Sequence, residues 1–279
     1  MVNVVAKVML KTFSPVKREI KEQTIKISKQ NISLSETIVK EYHKWLGASE
    51  RYPSSIAPHL FPMWSYPSLY KLGKKLHLPL HKVLNQGVKM TINQDLPLDQ
   101  PLNLEVDIYK IKNMENKIRL SQKITTGTAQ FPEALISEIH AVILKNPKAI
   151  LAKTKEQPSK VYETENMIHI NSLYIAKEDA QSYAYLSGDI NPIHLSQRIA
   201  KLMGLKGSIM HGFGLYAMLY ENLKKARYKV KVIDVRFLSP VYLESTIHIY
   251  ISILNEEKYA IKIFNREKTI VHLSGEFFV

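Results

Sequence analysis

Three short runs near the end of the chain alternate apolar and polar residues with a period of two. They are Thr246–Ile253, Tyr259–Phe264 and Thr269–Leu273, and short polar turns separate them. Because successive side chains of a β-strand point to opposite faces, such alternation is typical of strands that bury one face. Short polar turns of this kind join antiparallel neighbours. The pattern therefore predicts an antiparallel meander.

The first half of the chain repeats this plan. Alternating runs there cover Leu104–Ile111, Lys117–Thr125 and Ser137–Leu144. A shift of 152 positions also places Ala57–Phe61 on Ile209–Phe213. Such self-similarity indicates an internal duplication. Four aromatic residues of this half are predicted to lie in the core: Phe13, Trp45, Trp64 and Tyr70.

A charged, proline-containing stretch near the middle of the chain is typical of a linker. We predict an N-terminal domain over residues 1–145, a linker over 146–165 and a C-terminal domain over 166–279. The apolar run Met1–Leu10 is interrupted by Lys7 and lacks a small-residue cleavage site. It therefore predicts a strand rather than a signal peptide.

Two helices are predicted in the second half. Ser196 is a suitable N-cap for a helix over Gln197–Met203. A longer helix begins near His211 or Gly212 and ends near Lys225. Its first stretch is apolar on nearly all sides, which predicts burial on most faces.

Residues 183–194 carry the most chemical information, because they read Tyr-Ala-Tyr-Leu-Ser-Gly-Asp-Ile-Asn-Pro-Ile-His. Asp189 and His194 are five residues apart, a spacing that neither helical nor strand periodicity places on one face. Between them Pro192 fixes its own φ and restricts Asn191 to extended backbone. The resulting bend could aim a carboxylate and an imidazole at one water molecule, as general acid–base chemistry requires.

This string resembles the hydratase-2 motif of the MaoC-like family, the (R)-specific enoyl-thioester hydratases and dehydratases. That motif has an aromatic residue followed by Leu-Ser-Gly-Asp-x-Asn-Pro-x-His, and Tyr183 or Tyr185 through His194 matches it throughout. Ser208–Phe213 resembles the second landmark of the family, which opens a long buried helix. The resemblance implies an α+β double hot dog, with two antiparallel sheets that each wrap around a central buried helix.

By this resemblance, Asp189 and His194 are the catalytic residues, and the sequence leaves open which is acid and which is base. Gly212, at the start of the buried helix, is expected to offer its backbone N–H to the thioester oxygen. Asn191 is expected to hold the loop. Ser208 and His211 are candidate substrate contacts, although His211 has the alternative role of ordering the start of the helix.

The first half departs from the motif. Trp45–Ala48 stands opposite Leu186–Asp189 and brings no carboxylate, and Pro53 occupies the position of the histidine. Only the second half is therefore predicted to be catalytic. By resemblance, the degenerate first half supplies the partner wall of the site.

The favoured function is an (R)-specific hydratase or dehydratase that interconverts trans-2-enoyl and (3R)-3-hydroxyacyl thioesters in fatty acid metabolism. Two alternatives remain open: a hot-dog acyl thioesterase, and a non-catalytic module that binds acyl thioesters. The substrate carrier is coenzyme A or an acyl carrier protein, and no other cofactor is expected. A duplicated chain can form its hot-dog pair internally, so both a monomer and a homodimer are compatible with the sequence.

The composition excludes or disfavours several other kinds of site and partner. The chain has no cysteine, which excludes disulfides, thiolate nucleophiles and Cys-based metal sites. His77 and His81 are four residues apart, but the intervening Leu-Pro-Leu is not helical, so no metal site is predicted.

The net charge of +14 arises from scattered cations without a nucleic-acid-binding motif, so no nucleic acid partner is expected. No apolar run approaches the roughly 20 residues of a membrane span, and a cytoplasmic protein is predicted.

Overall fold

The computed structural model of the chain describes residues 24–79, 83–145 and 161–279. Four of the predicted features fall wholly or partly outside these residues. They are the strand over Met1–Leu10, the core residue Phe13, the His81 of the histidine pair and residues 146–160 of the linker. The proposed domain boundaries stay a prediction.

The described part of the first half begins with one strand, continues through two helices and ends in a group of mostly longer strands. Two 3₁₀ turns, Ser49–Arg51 and Pro58–Leu60, lie between the helices. The elements are β1 (Ile25–Ile32), α1 (Glu36–Trp45), β2 (Ser55–Ile56), α2 (Phe61–Lys75), β3 (Val83–Ile92), β4 (Leu96–Pro97), β5 (Leu102–Asn113), β6 (Lys117–Gly127) and β7 (Leu135–Leu144).

The second half follows the same plan with two additional short helices. Its elements are β8 (Ile168–Ile175), α3 (Lys177–Ser187), α4 (Pro192–Leu195), α5 (Gln197–Leu202), α6 (Gly212–Lys225), β9 (Val232–Phe237), β10 (Ser245–Ile253), β11 (Lys258–Asn265) and β12 (Val271–Phe278). The predicted helices are confirmed, and the Ser196 hydroxyl caps α5 by accepting a hydrogen bond from the Ile199 N–H.

The long strands form one ten-stranded sheet in the order β1-β5-β6-β7-β3-β9-β12-β11-β10-β8. Read from its outer edge, each half has the same order: its first strand, its three-stranded meander, then the strand that follows its central helix. The two halves meet where β3 pairs antiparallel with β9, from Gly87 opposite Arg236 to Thr91 opposite Val232. The double hot dog predicted from the sequence is thus confirmed, with its two sheets joined into one.

Helices α2 and α6 are the central helices of the two halves, and they begin side by side. The Phe61 and Phe213 rings pack edge-to-face with centroids 5.5 Å apart. Both rings are almost fully buried, as are Leu72 of α2 and Tyr216 of α6. Complete burial of such a side chain stabilises the fold by about 1.5–3 kcal/mol, so the paired helices form the centre of the core. No helix in residues 24–79, 83–145 and 161–279 has the length and apolar character to cross a bilayer.

Two details of the sequence interpretation were wrong. The last strand is Val271–Phe278 rather than Thr269–Leu273. The backbone N–H groups of Thr269 and Ile270 both donate to the Asn265 side chain, so these residues belong to the turn. Tyr70 is not a core residue, because it is 53% exposed. Trp64 is buried as predicted, and Trp45 is half-buried against the core.

Gly275 of β12 allows the close approach of β9, the strand that connects the two halves. A Cβ at this position would lie 2.8 Å from the Val235 Cα and closer still to the Asp234 carbonyl oxygen. We expect Gly275→Ala to lower the free energy of unfolding by about 1–3 kcal/mol, measured by urea denaturation, because backbone atoms must move. Gly207→Ala is the matched control, since its Cβ would meet only one atom, 3.9 Å away. Equal stability of the two variants would contradict the close-packing argument.

Candidate active site

The loop that carries Asp189 begins where α3 ends. Gly188 adopts a left-handed conformation with φ of +78° and donates its N–H to the Ala184 carbonyl. Glycine reaches this conformation without the steric cost that a Cβ brings. The chain then turns sharply, and the Asp189 N–H donates to the Ser187 hydroxyl at 3.2 Å. The half-buried Asp189 side chain lies on the wall of a cavity.

Asn191 and Pro192 form the bend that the sequence predicts. Asn191 is the N-cap of α4, where its side-chain oxygen accepts a hydrogen bond from the Ile193 N–H at 3.3 Å. Pro192 is the first helical residue, a position at which its missing N–H costs nothing. His194 follows within this single turn, is only 8% exposed and lies on the same cavity wall as Asp189. The capping contact is consistent with the expected loop-holding role of Asn191.

A backbone contact sets the tautomer of His194. Its Nδ1 lies 2.9 Å from the Ile209 carbonyl oxygen. A carbonyl can only accept, so Nδ1 carries the proton and Nε2 keeps its lone pair. Burial lowers the pKa of His194 below 6.5, although the Ile209 carbonyl and the Asp189 carboxylate oppose the shift. The imidazole is therefore neutral near pH 7 and able to accept a proton.

His211 lies behind His194 and holds the loop. Its Nε2 donates to the Asp189 carbonyl oxygen at 2.9 Å, and its ring stacks on the His194 ring with centroids 3.6 Å apart. Burial and the neighbouring His194 imidazole lower the pKa of His211 to about 3. His211 is 1% exposed and is not on the cavity wall. This geometry supports an ordering role rather than a substrate contact.

Gly212 is the first residue of α6 and lies on the cavity wall. Among the described residues, none accepts a hydrogen bond from its N–H. A free N–H at the positive end of a helix dipole is well suited to bind a developing negative charge. A Cβ here would lie 2.9 Å from the Phe237 ring, so larger residues do not fit without displacement of that ring.

The structure does not bring Ser208 to the cavity. Ser208 lies in the connection before α6, where its carbonyl accepts a hydrogen bond from the Leu243 N–H at 3.0 Å. The Ser208 side chain is half-buried and is not on the cavity wall. Its predicted contact with substrate remains without geometric support.

The cavity has a volume of about 640 Å³ and lies between the two halves. The second half contributes the loop that carries Asp189 and His194, and the start of α6. The first half contributes an apolar wall that the sequence analysis could not specify, built from Tyr66 and Leu69 of α2, Leu78, Ile108 of β5, Leu120 of β6 and Ile139 of β7. The alternation of β5, β6 and β7 predicted which residues face the core, but not that part of this face borders a cavity.

Asp189, His194 and His211 are the described residues that come closest to a metal-binding group. One potential ligand atom of each lies within 4.8 Å of those of the other two. The two imidazoles stack with centroids 3.6 Å apart at an angle of 25°, so their in-plane lone pairs lie in two separate, nearly parallel planes instead of converging on one point. Tetrahedral coordination needs converging ligands. The residues present thus fit a metal ion poorly in this arrangement, and its expected absence stays a prediction.

Comparison with known proteins agrees with this geometry. Residues 153–275 match the family profile of the MaoC like domain. The second half of the chain is thus similar to this domain. The 3-hydroxyacyl-thioester dehydratase X of Mycobacterium tuberculosis (strain ATCC 25618 / H37Rv) is 37% identical over 81 residues, 29% of this chain and 29% of that protein. The peroxisomal multifunctional enzyme type 2 of Drosophila melanogaster is 33% identical over 81 residues, 27% of this chain and 14% of that protein. The similarity thus covers less than a third of either curated relative.

Solved structures resemble the whole double hot dog. HtdX from Mycobacterium tuberculosis superposes with a TM-score of 0.73 at 18% identity, covering 91% of this chain and 100% of that one. A conserved Mycobacterium tuberculosis protein described as a double hotdog gives a TM-score of 0.60 at 9% identity, covering 96% of this chain and 98% of that one. At these identities the likeness shows the fold alone.

The first half contains a counterpart of the MaoC-like loop that lacks its chemistry. Helix α1 ends just before Gly47, which has a φ of +58° and corresponds to Gly188. Ala48 follows in the place of Asp189, as the sequence alignment predicts. The first half therefore presents no carboxylate at the position that corresponds to Asp189.

A buried ion cluster lies beside this counterpart loop. Glu221 of α6 accepts hydrogen bonds from Arg51 Nε at 2.6 Å, Tyr52 Oη at 2.6 Å and His59 Nε2 at 2.8 Å. Burial would raise the pKa of Glu221, but the hydrogen bonds from His59, Tyr52 and Arg51 outweigh it and lower the pKa to about 2. The carboxylate is thus ionised and fully paired, and it ties α6 to the first half. Sequence reasoning missed this cluster, because its partners lie more than 160 residues from Glu221.

Loss of the Glu221 charge should destabilise the fold. We expect Glu221→Gln to lower the free energy of unfolding by about 1–3 kcal/mol, because it weakens buried, charge-assisted hydrogen bonds and leaves the partly exposed Arg51 guanidinium without its counter-charge. Chemical denaturation at pH 7 measures the change. Glu244→Gln is the matched control, since Glu244 pairs with Lys177 at 3.0 Å in an exposed position and should change stability little. A Glu221→Gln variant as stable as this control would show that the cluster does not stabilise the fold.

Proposed function

We propose that the protein is an (R)-specific hydratase or dehydratase that interconverts trans-2-enoyl and (3R)-3-hydroxyacyl thioesters. One observation carries the proposal: a carboxylate oxygen of Asp189 and a ring nitrogen of His194 lie within 4.8 Å of each other on a cavity that also contains the free Gly212 N–H. The proposed base, the second polar group and the proposed oxyanion donor thus all lie on the same cavity. The family of the second half, and the names of relatives as a dehydratase and a multifunctional enzyme, support the same reaction class.

The proposed hydration uses one water molecule held between Asp189 and His194. His194 Nε2 accepts a proton from this water as its oxygen bonds to C3 of the enoyl group. The π electrons of the C2–C3 bond then form a C1–C2 double bond, and the π electrons of the carbonyl move onto the thioester oxygen. This enolate oxygen accepts a hydrogen bond from the Gly212 N–H. His194 then returns the proton to C2, which restores the thioester carbonyl. Dehydration is the reverse.

The individual groups have distinct energetic roles in this mechanism. An oxyanion donor such as the Gly212 N–H typically lowers the barrier by about 3 kcal/mol. Asp189 orients the water and stabilises the transient imidazolium of His194 through its negative charge. His211 stays neutral because its pKa is about 3, so no second positive charge arises beside that imidazolium.

The apolar first-half wall supports a fatty acyl group as the remainder of the substrate. Leu69, Ile108 and Ile139 present hydrocarbon surface to the cavity. Burial of an acyl chain against such surface is favourable by about 0.8 kcal/mol per methylene group. We therefore propose that the acyl chain extends from the catalytic loop toward the first half, in fatty acid metabolism.

The setting of the reaction is also proposed. Coenzyme A or an acyl carrier protein presents the acyl thioester, and no further cofactor is needed, because each proposed step uses protein groups and water. The absence of cysteine fits a reducing compartment, and we propose the cytoplasm. Since both hot-dog units lie in one chain, a monomer suffices, and a homodimer is the alternative.

Substitution of either catalytic residue tests the proposal. With crotonyl-CoA, we expect Asp189→Asn and His194→Gln each to lower kcat/KM by roughly 10²–10⁴-fold, since each removes a group in proton transfer. Asp99→Asn and His169→Gln are matched surface controls and should retain wild-type rates. Loss of the enoyl absorbance measures turnover, and chiral analysis of the product reports the (3R) configuration.

The same assay distinguishes the alternatives. Release of free thiol without loss of the enoyl band would replace the proposal with a thioesterase. Binding of the thioester without turnover of either kind would indicate a binding module. Near-normal turnover by Asp189→Asn or His194→Gln would remove the site assignment.

The pH profile tests the state of His194. The base must be neutral, so kcat/KM should be maximal at high pH and decline as His194 gains a proton. Because burial lowers the pKa of His194, we expect the midpoint of this acid limb below pH 6.5. Circular dichroism at each pH controls for acid unfolding. A midpoint at or above pH 6.5, with the fold intact, would contradict a buried neutral base.

A further inference from the structure

The segment that carries His194 exposes large apolar side chains beside cations. Ile190 is 71% exposed, Leu195 43% and Leu202 72%. Arg198 and Lys201 lie between Leu195 and Leu202 in the chain and are also exposed. We call these five residues the α4–α5 face. Large apolar side chains that cluster at the surface mark sites of interaction more often than isolated ones do.

The outer side of α5 is organised for contact rather than for packing. Its inward residue Ala200 is fully buried and attaches the helix to the fold. Arg198, Lys201 and Leu202 are spaced i, i+3 and i+4, which places them on one side of the helix. Burial of the inward side already anchors α5, so the outward leucine has no role in the fold that the structure reveals.

The charge of this region has a single sign. No aspartate or glutamate occurs between Asp189 and Glu221. Among the described residues, none forms an ion pair with Arg198, Lys201 or the nearby Lys206. Unpaired cations around apolar side chains complement an acidic surface with an apolar centre. A second copy of this chain is disfavoured here, because two such cationic faces repel each other.

One end of the α4–α5 face lies next to the opening of the cavity. Ile190 and Leu195 directly follow Asp189 and His194 in the chain. The exposed residues Gly188 and Asn191 of the same loop line the cavity, which therefore opens to solvent at this loop. A partner bound to the face would lie at the opening, from which a flexible arm could deliver a thioester to the catalytic residues.

Resting on the proposed function, we propose that the α4–α5 face docks an acidic acyl carrier protein that presents the enoyl group on its phosphopantetheine arm. Coenzyme A carries the same arm, and its phosphates would also be attracted to Arg198 and Lys201. Three exposed apolar side chains outside the cavity, however, match a folded protein surface better than a nucleotide. The carrier is thus recognised by its surface and not only by its arm.

A comparison of carriers tests this proposal. The wild type and Arg198→Glu/Lys201→Glu are assayed with crotonyl-loaded bacterial acyl carrier protein and with crotonyl-CoA. We expect the charge reversal to raise the ratio of the two KM values, carrier protein over coenzyme A, by about tenfold at low salt. The difference should shrink as salt increases. Lys110→Glu/Lys112→Glu makes the same charge change at two exposed positions of β5, in the other half of the chain, and should leave the ratio unchanged.

A second variant separates apolar contact from charge. Leu202→Gln removes an exposed apolar side chain without altering charge, and it should raise the same ratio without changing its salt dependence. An unchanged ratio in both face variants overturns the proposal. An equal fold rise of both KM values leaves the ratio unchanged and overturns it, because it assigns the cations to the phosphopantetheine arm that both carriers share. A fall of the ratio also overturns it, because it assigns the cations to the phosphates that only coenzyme A carries.

Direct binding keeps this test separate from the proposed reaction. Fluorescently labelled holo acyl carrier protein is titrated with each variant, and anisotropy reports binding. We expect binding to the wild type and to Lys110→Glu/Lys112→Glu, and about tenfold weaker binding to Arg198→Glu/Lys201→Glu. If crotonyl thioesters are not turned over on either carrier, the proposed function fails, while this titration still decides whether the face docks the carrier.

Discussion

The antiparallel pairing of β3 with β9 is the constraint on which the site depends. It joins two five-stranded half-sheets edge to edge and sets α2 beside α6. A single hot-dog unit packs one central helix against its own sheet and would supply only one wall of the cavity. The cavity has a wall from each half, because the loop that carries Asp189 and His194 belongs to one half and the apolar surface to the other. Gly275, where β12 approaches Val235, shows how closely this central region is packed.

The two halves share one order of helices and strands but differ in the loop that follows the first helix. In the second half, a left-handed glycine and an Asn-Pro bend direct Asp189 and His194 to a cavity, and backbone carbonyls fix the tautomers of His194 and His211. In the first half the corresponding positions are occupied by Ala48 and Pro53, and an ionised carboxylate on α6 is paired beside that loop. A buried, fully paired charge favours one arrangement of helices, whereas the open loop keeps groups free to react.

Much of the fold could be predicted because its signals are local. Alternation located the strands of both meanders to within a few residues, and the uniform apolar character of Phe213–Tyr220 identified a buried helix. The sequence-based assignment was wrong where contacts in the folded chain outweighed a local pattern. Thr269 and Ile270 continue the alternation, but the Asn265 side chain binds their N–H groups in a turn. Tyr70 has the hydrophobicity of a core residue but lies at the cavity rim.

By itself, the sequence determined the two antiparallel meanders and the duplication through periodicity. One contiguous motif gave, by resemblance, the double hot-dog fold and the proposal that Asp189 and His194 form the acid–base pair. Only the tertiary structure decided the tautomer of His194, the place of His211 behind it, the separation of Ser208 from the cavity and the ion cluster at Glu221. Each of these depends on groups that are distant in the chain and adjacent in space. Hydrogen-bond direction and burial are properties of such neighbours, and they cannot be read from residue order.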